Sequence, residues 1–134
     1  MNTPVEIIQG LYAAFGRGDV PALLDMVADD VQWTHLGSIG LPYMDTFKGK
    51  AGVARWFGQV AAVDSIQAFE PREFLAGPDH VTVLGWERTQ ALPAGRAFET
   101  DWLHVFNVRD GKVTRASSAP TTRRPRPRRA RERR

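Results

Sequence analysis

Cysteine is absent from this 134-residue chain, and tyrosine and histidine are scarce, at two and three copies. Without thiols there can be no disulfide and no thiolate metal site. No His-x-x-x-His or two-histidine-plus-carboxylate spacing occurs, which argues against a metal, and nothing in the sequence calls for an organic cofactor. Long apolar runs are also missing: no stretch approaches the roughly 20 residues that a membrane helix needs. The first ten residues carry Glu6 and no basic region ahead of an apolar stretch, so no signal peptide is expected. These absences together predict a cytoplasmic protein without a membrane anchor.

What is present is ordinary for one globular domain, with 43% hydrophobic and 25% charged residues. The formal net charge of +3 is unevenly placed. Residues 115–134 hold nine of the 18 Lys and Arg and one of the 15 Asp and Glu, which leaves residues 1–114 with a net charge of −5. Any nucleic-acid reading therefore rests on the tail alone.

Periodicity organises the remainder. Thr3, Pro4 and Glu6 form a capping-box signature, and Val5, Ile8, Leu11, Tyr12 and Phe15 follow at helical spacing until Gly16 and Gly18. Asp19 caps a second short helix with Val20, Leu23, Leu24 and Val27 as its stripe, ended by Asp29 and Asp30. A strand is predicted over residues 31–36 and a third helix over 51–63, with Val53, Trp56, Phe57 and Val60 on one face. From Asp64 the pattern alternates. Strands are expected near 66–75, 80–91, 96–109 and from 112 onward, separated by Gly77-Pro78-Asp79, Pro93-Ala94-Gly95 and Asp110-Gly111. Helices followed by hairpins predict an α+β fold, with helices on one face of a curved antiparallel sheet.

The order of elements resembles the nuclear-transport-factor-2 / ketosteroid-isomerase superfamily, especially its SnoaL-like branch. The carriers are Gly18-Asp19 before a Leu-rich helix, Ala28-Asp29-Asp30-Val31 leading into Trp33, and Phe47-Lys48-Gly49 ahead of Trp56-Phe57. His104-Val105-Phe106 running into Asp110-Gly111-Lys112-Val113 completes the set. The resemblance spans about residues 4–115. It implies a cone-shaped roll whose three helices pack on the concave face of the sheet. It also implies one pocket for a small apolar ligand and a homodimer.

In the ketosteroid-isomerase branch a catalytic carboxylate ends the first strand, and matching the Ala-Asp-Asp stretch puts His35 there. A second acid, which donates to the oxyanion, falls at His104. The family's tyrosine falls at Phe15, and Tyr12, three residues earlier on the same helix face, is the candidate substitute. Cyclases of the SnoaL-like branch use a His and Asp pair. Here that pair would be His35 with His104, or His104 with Asp45 or Asp101.

The residues themselves agree with a pocket. Alternation places Thr100, Trp102, His104 and Phe106 on one face of their strand, opposite Asp101, and Val31, Trp33 and His35 on one face of another. Two tryptophans, a phenylalanine and two histidines then surround one hollow, the composition of a small-molecule site. The candidate catalytic pair is His35 as base and His104 as donor. Tyr12, Phe15, Trp33, Trp102 and Phe106 are the candidate ligand contacts, with Asp45 and Arg55 a polar pair at the mouth. Trp56, Phe57, Trp86 and Phe98 are assigned to core or dimer packing, and Arg88 is expected to pair with Glu99 across a hairpin.

Residues 116–134 lack apolar periodicity and are rich in Arg and Pro, so they are expected to be a disordered tail after a domain of residues 1–115. That leaves the last strand cut short and predicts a marginally stable domain. Three origins stay open for the tail: a genuine basic segment that binds nucleic acid non-specifically, an inert solvated one, and a reading-frame change near codon 115. The functional readings are acid/base catalysis on an apolar carbonyl compound (isomerase, cyclase or dehydratase type), a non-catalytic ligand-binding or dimerisation module, and a basic-tailed nucleic-acid binder.

Overall fold

The structure, a computed structural model, describes residues 3–35, 46–91, 95 and 97–120. Thr3 caps α1 (Pro4–Gly16): its hydroxyl accepts from the Glu6 amide while the Glu6 carboxylate accepts from the Thr3 amide, which satisfies two end donors at once. Gly18, at φ +67°, turns the chain into α2 (Val20–Asp25), capped by Asp19 accepting from the Ala22 amide. Then follow β1 (Val27–His35), β2 (Thr46–Lys48), α3 (Gly49–Val63), β3 (Asp64–Ala76), β4 (His80–Ala91), β5 (Ala97–Arg109) and β6 (Lys112–Pro120).

One six-stranded, curved and unclosed sheet results, in the order β2-β1-β6-β5-β4-β3. Asp110 and Gly111 both take positive φ, 53° and 78°, and Arg109 pairs with Lys112 across them. That is the two-residue turn whose twist suits a hairpin. Ile8, Leu11 and Ala14 of α1 and Val53, Trp56 and Val60 of α3 are buried in one core with Val31, Val81, Val83, Trp102 and Phe106 of the sheet. Among the described residues no helix is long and apolar enough to cross a membrane.

Three expectations are corrected. Val27 opens β1 rather than closing α2, because α2 ends after six residues at Asp25, with Met26 as its C-cap, and Val27 is buried in the sheet. The sheet is not wholly antiparallel, since β1 runs parallel to β6. Most important, the last strand does not stop at Arg115. Ala116, Ser117, Ser118 and Ala119 continue it, paired with Phe106, Val105, His104 and Leu103 of β5 on one side. On the other side Ala116, Ser117 and Ser118 meet Trp33, Thr34 and His35 of β1. Small residues fit a position flanked by bulky rings, and the proline comes only at the strand's end. The expected loss of ladder bonds therefore does not occur. Residues 121–134, which hold the arginine run, lie outside the described residues.

Candidate functional site

Between the helices and the inner face of the sheet lies a cavity of about 420 Å³. Cross-strand register builds its floor, because paired residues project to the same side. One row runs Trp33, Ala116, Phe106 and Val81; the next runs His35, Ser118, His104 and Val83. Ser118 thus separates two imidazoles delivered by β1 and β5. The third row pairs Trp102 with Gly85, and the absent side chain is what admits the indole: a Cβ on Gly85 would lie 2.3 Å from Trp102 Cζ2.

Two aromatic groups form the walls. Tyr12 from α1 stacks on His104, with centroids 5.8 Å apart and planes at 18°. Trp102 stacks on the same imidazole at 4.1 Å and on Phe69 at 4.8 Å. The second group centres on Trp56 of α3, 5.1 Å from Trp33 and 6.2 Å from His35. Phe15 bridges the groups, 5.2 Å from Phe69 and 6.3 Å from Trp56.

The Nδ1 of each cavity histidine is held by an aromatic side chain. Tyr12 Oη lies 2.6 Å from His104 Nδ1, and the Trp56 indole N–H donates to His35 Nδ1 over 3.2 Å. Burial pushes the His35 pKa down to about 4. Burial, and secondarily the proximity of His35, pushes His104 down to about 3. Burial moves Tyr12 the other way, well above the usual phenol range. At neutral pH all three groups are therefore uncharged. An indole can only donate, so its bond to Nδ1 puts the proton of neutral His35 on Nε2. The Tyr12–His104 contact holds one proton between an oxygen and a nitrogen that can each give or take it.

His35, His104, Tyr12, Phe15, Trp33, Trp102 and Phe106 are thus brought together around the cavity. Arg55 is not: it is exposed, with its guanidinium 5.4 Å from the ring centroid of Phe47 in β2, because α3 turns it away from the cavity while presenting Trp56. Asp45 lies outside the described residues, and Asp101 is not among the lining residues. The Arg88–Glu99 ion pair forms at 3.0 Å.

Several lining residues lie beyond the sequence-based candidates, Phe69, Trp56, Phe98, Ser118 and Glu87 among them. Trp56 and Phe98 had been assigned to packing, and Ser118 to the tail. Glu87 lines the cavity beside Thr100, its partner in the β4–β5 hairpin, a register open to inference from the expected Arg88–Glu99 pair.

The sequence profile of the SnoaL-like domain family matches residues 8–116. Among solved structures, an NTF2-like protein from Burkholderia xenovorans LB400 is 33% identical, with 89% of each chain covered and a TM-score of 0.80. TerC, co-crystallised with polyporic acid, is 30% identical over 90% of this chain and 93% of its own, also with a TM-score of 0.80. A protein of ketosteroid isomerase-like fold from Catenulispora acidiphila DSM 44928, in complex with trimethylamine, shares the fold at 18% identity, with 87% and 85% covered and a TM-score of 0.72. No curated protein matches the chain.

Proposed function

The chain belongs to the SnoaL-like domain family, and from that footing we propose that its cavity binds a small, largely apolar carbonyl compound and moves a proton on it through the Tyr12–His104 pair. The 2.6 Å contact between Tyr12 Oη and His104 Nδ1, set in an aromatic cavity, carries the reading. The co-crystallisation of TerC with polyporic acid supports a small organic occupant.

Two protonation arrangements of the pair are chemically distinct. When Nδ1–H donates to Tyr12 Oη, His104 Nε2 bears a lone pair and the phenol hydrogen is available to the ligand. Nε2 then takes a proton from the carbon beside the carbonyl, the phenol hydrogen passes to the developing enolate oxygen, and Nδ1–H refills the phenol. The ligand leaves as its enol, and His104 ends with its proton on Nε2. No step leaves a lasting imidazolium or phenolate, which suits two groups that burial holds in their neutral forms. His35, with its proton on Nε2, acts as a hydrogen-bond donor, so the role of base passes from His35 to His104.

The test is exchange of the α-protons of 2-tetralone in D2O, followed by NMR. The native protein is expected to accelerate exchange, His104→Phe to abolish it, and Tyr12→Phe to slow it about 100-fold, while both variants still bind the ketone. Exchange no faster than buffer alone, with the ketone bound, leaves a binding module and removes the catalytic reading.

A further inference from the structure

The proposed proton transfer uses one end of the cavity, and the other end differs in character. His104 and Thr100 both face the cavity from β5, four residues or about 13 Å apart. Thr100 is paired with Glu87 of β4, and Glu87 in turn with Phe69 of β3. Glu87 therefore stands at a second pole, with Trp102, Phe69 and Phe15 between it and the Tyr12–His104 pair. The Thr89 hydroxyl, fully buried behind it, donates to Glu87 Oε1 and holds the carboxyl in place. Burial raises its pKa, the bond from Thr89 opposes that rise, and nearby Asp64 adds to it.

Charge completes the picture. Among the described lining residues Asp64, Glu87 and Glu99 are acidic and none is Lys or Arg. Glu99 has its partner in Arg88. Among the described lining residues, a carboxylate or phosphate on a ligand would meet the Glu87 carboxyl and no lysine or arginine, in a space whose low polarity magnifies the repulsion. A hydroxyl would find an acceptor.

Building on the proposed use of the Tyr12–His104 pole, we infer that the cavity selects an elongated, uncharged ligand with two polar ends. Its carbonyl oxygen sits at Tyr12 and His104, its hydroxyl donates to Glu87, and an aromatic or conjugated middle joins them. A two-ring compound bearing both groups is of suitable length, and about 420 Å³ is within the range for ligands of that size. Glu87 is then a specificity residue that the acid/base step itself does not use.

Four probes separate the possibilities: 4-acetylbiphenyl and its derivatives carrying a hydroxyl, a carboxylate or an aminomethyl group at the far end. Binding is read from the fluorescence of Trp33, Trp56 and Trp102, which line the cavity. The native protein is expected to bind the hydroxyl compound about tenfold tighter than the parent, the scale of one hydrogen bond to a carboxyl group, and the carboxylate at least about tenfold weaker. Glu87→Leu should erase the hydroxyl advantage. Glu87→Gln, which keeps an acceptor and the shape, should retain much of it and restore the carboxylate towards the parent's affinity. A hydroxyl advantage that survives Glu87→Leu overturns the inference, as does a preference for the carboxylate or for the cationic aminomethyl compound. If the parent binds without any such discrimination, only this inference falls. If the parent does not bind, the pocket reading falls with it.

Discussion

A neutral imidazole is ambiguous until something claims one of its nitrogens, and at His35 the Trp56 indole does so. Replacing Trp56 with Phe keeps a ring against Trp33 and Phe15 but removes the only polar atom of the indole. The expected result is a mixed population of His35 tautomers, seen as a shift of the Nδ1 and Nε2 signals in 15N NMR, with a stability loss of about 1 kcal/mol. Unchanged signals would mean that the indole does not set the proton's place. This is also where the sequence is least informative. His35 and His104 could be placed on inward faces because strand alternation fixes the direction of a side chain from its neighbours alone. That Trp56 meets His35 depends on how α3 is laid across β1, 21 residues away, and no local pattern records it.

Elements show the same division. The turn at Asp110-Gly111 and the β4–β5 hairpin register were readable because turn chemistry and alternation are local. The parallel pairing of β1 with β6 was not, since the strands are joined by most of the chain. β6 itself was hidden by composition: Ala116, Ser117, Ser118 and Ala119 carry almost no strand signal, and the prolines and arginines beyond them suggested a tail. Their smallness is their fitness, because large rings from β1 and β5 flank the strand. Within β4, Gly85 has the same kind of meaning. In Gly85→Val the new side chain would collide with Trp102, and its Cβ would lie 2.6 Å from the Glu70 carbonyl oxygen. The expected outcome is a loss of about 1–3 kcal/mol in urea unfolding, together with a changed near-UV circular dichroism spectrum as Trp102 leaves its stack with His104. A native spectrum in that variant would refute the role given to Gly85.

For the whole molecule, the two enclosed histidines tie stability to acidity. Their pKa values fall from 6.5 in the unfolded chain to about 4 and about 3 when folded. Between those limits the unfolded chain binds more protons, so stability rises with pH across the interval. It is complete above about pH 6.5 and drains away as pH drops towards 4, by up to about 1.4 kcal/mol per pH unit for each ring. Melting temperatures measured from pH 7 to pH 4 should fall accordingly, and His104→Phe should remove about half of the slope. A flat profile would place the rings in water. The sheet order has another consequence. β6 is the last of the six strands in chain order, yet it is the one that joins the β2-β1 pair to the β5-β4-β3 meander. As the polypeptide leaves the ribosome, the two halves of the sheet share no strand pairing until that seam is laid. Ligand capture must therefore await the emergence of β6, and a small molecule that bridges both halves would act as a folding aid to the newborn protein.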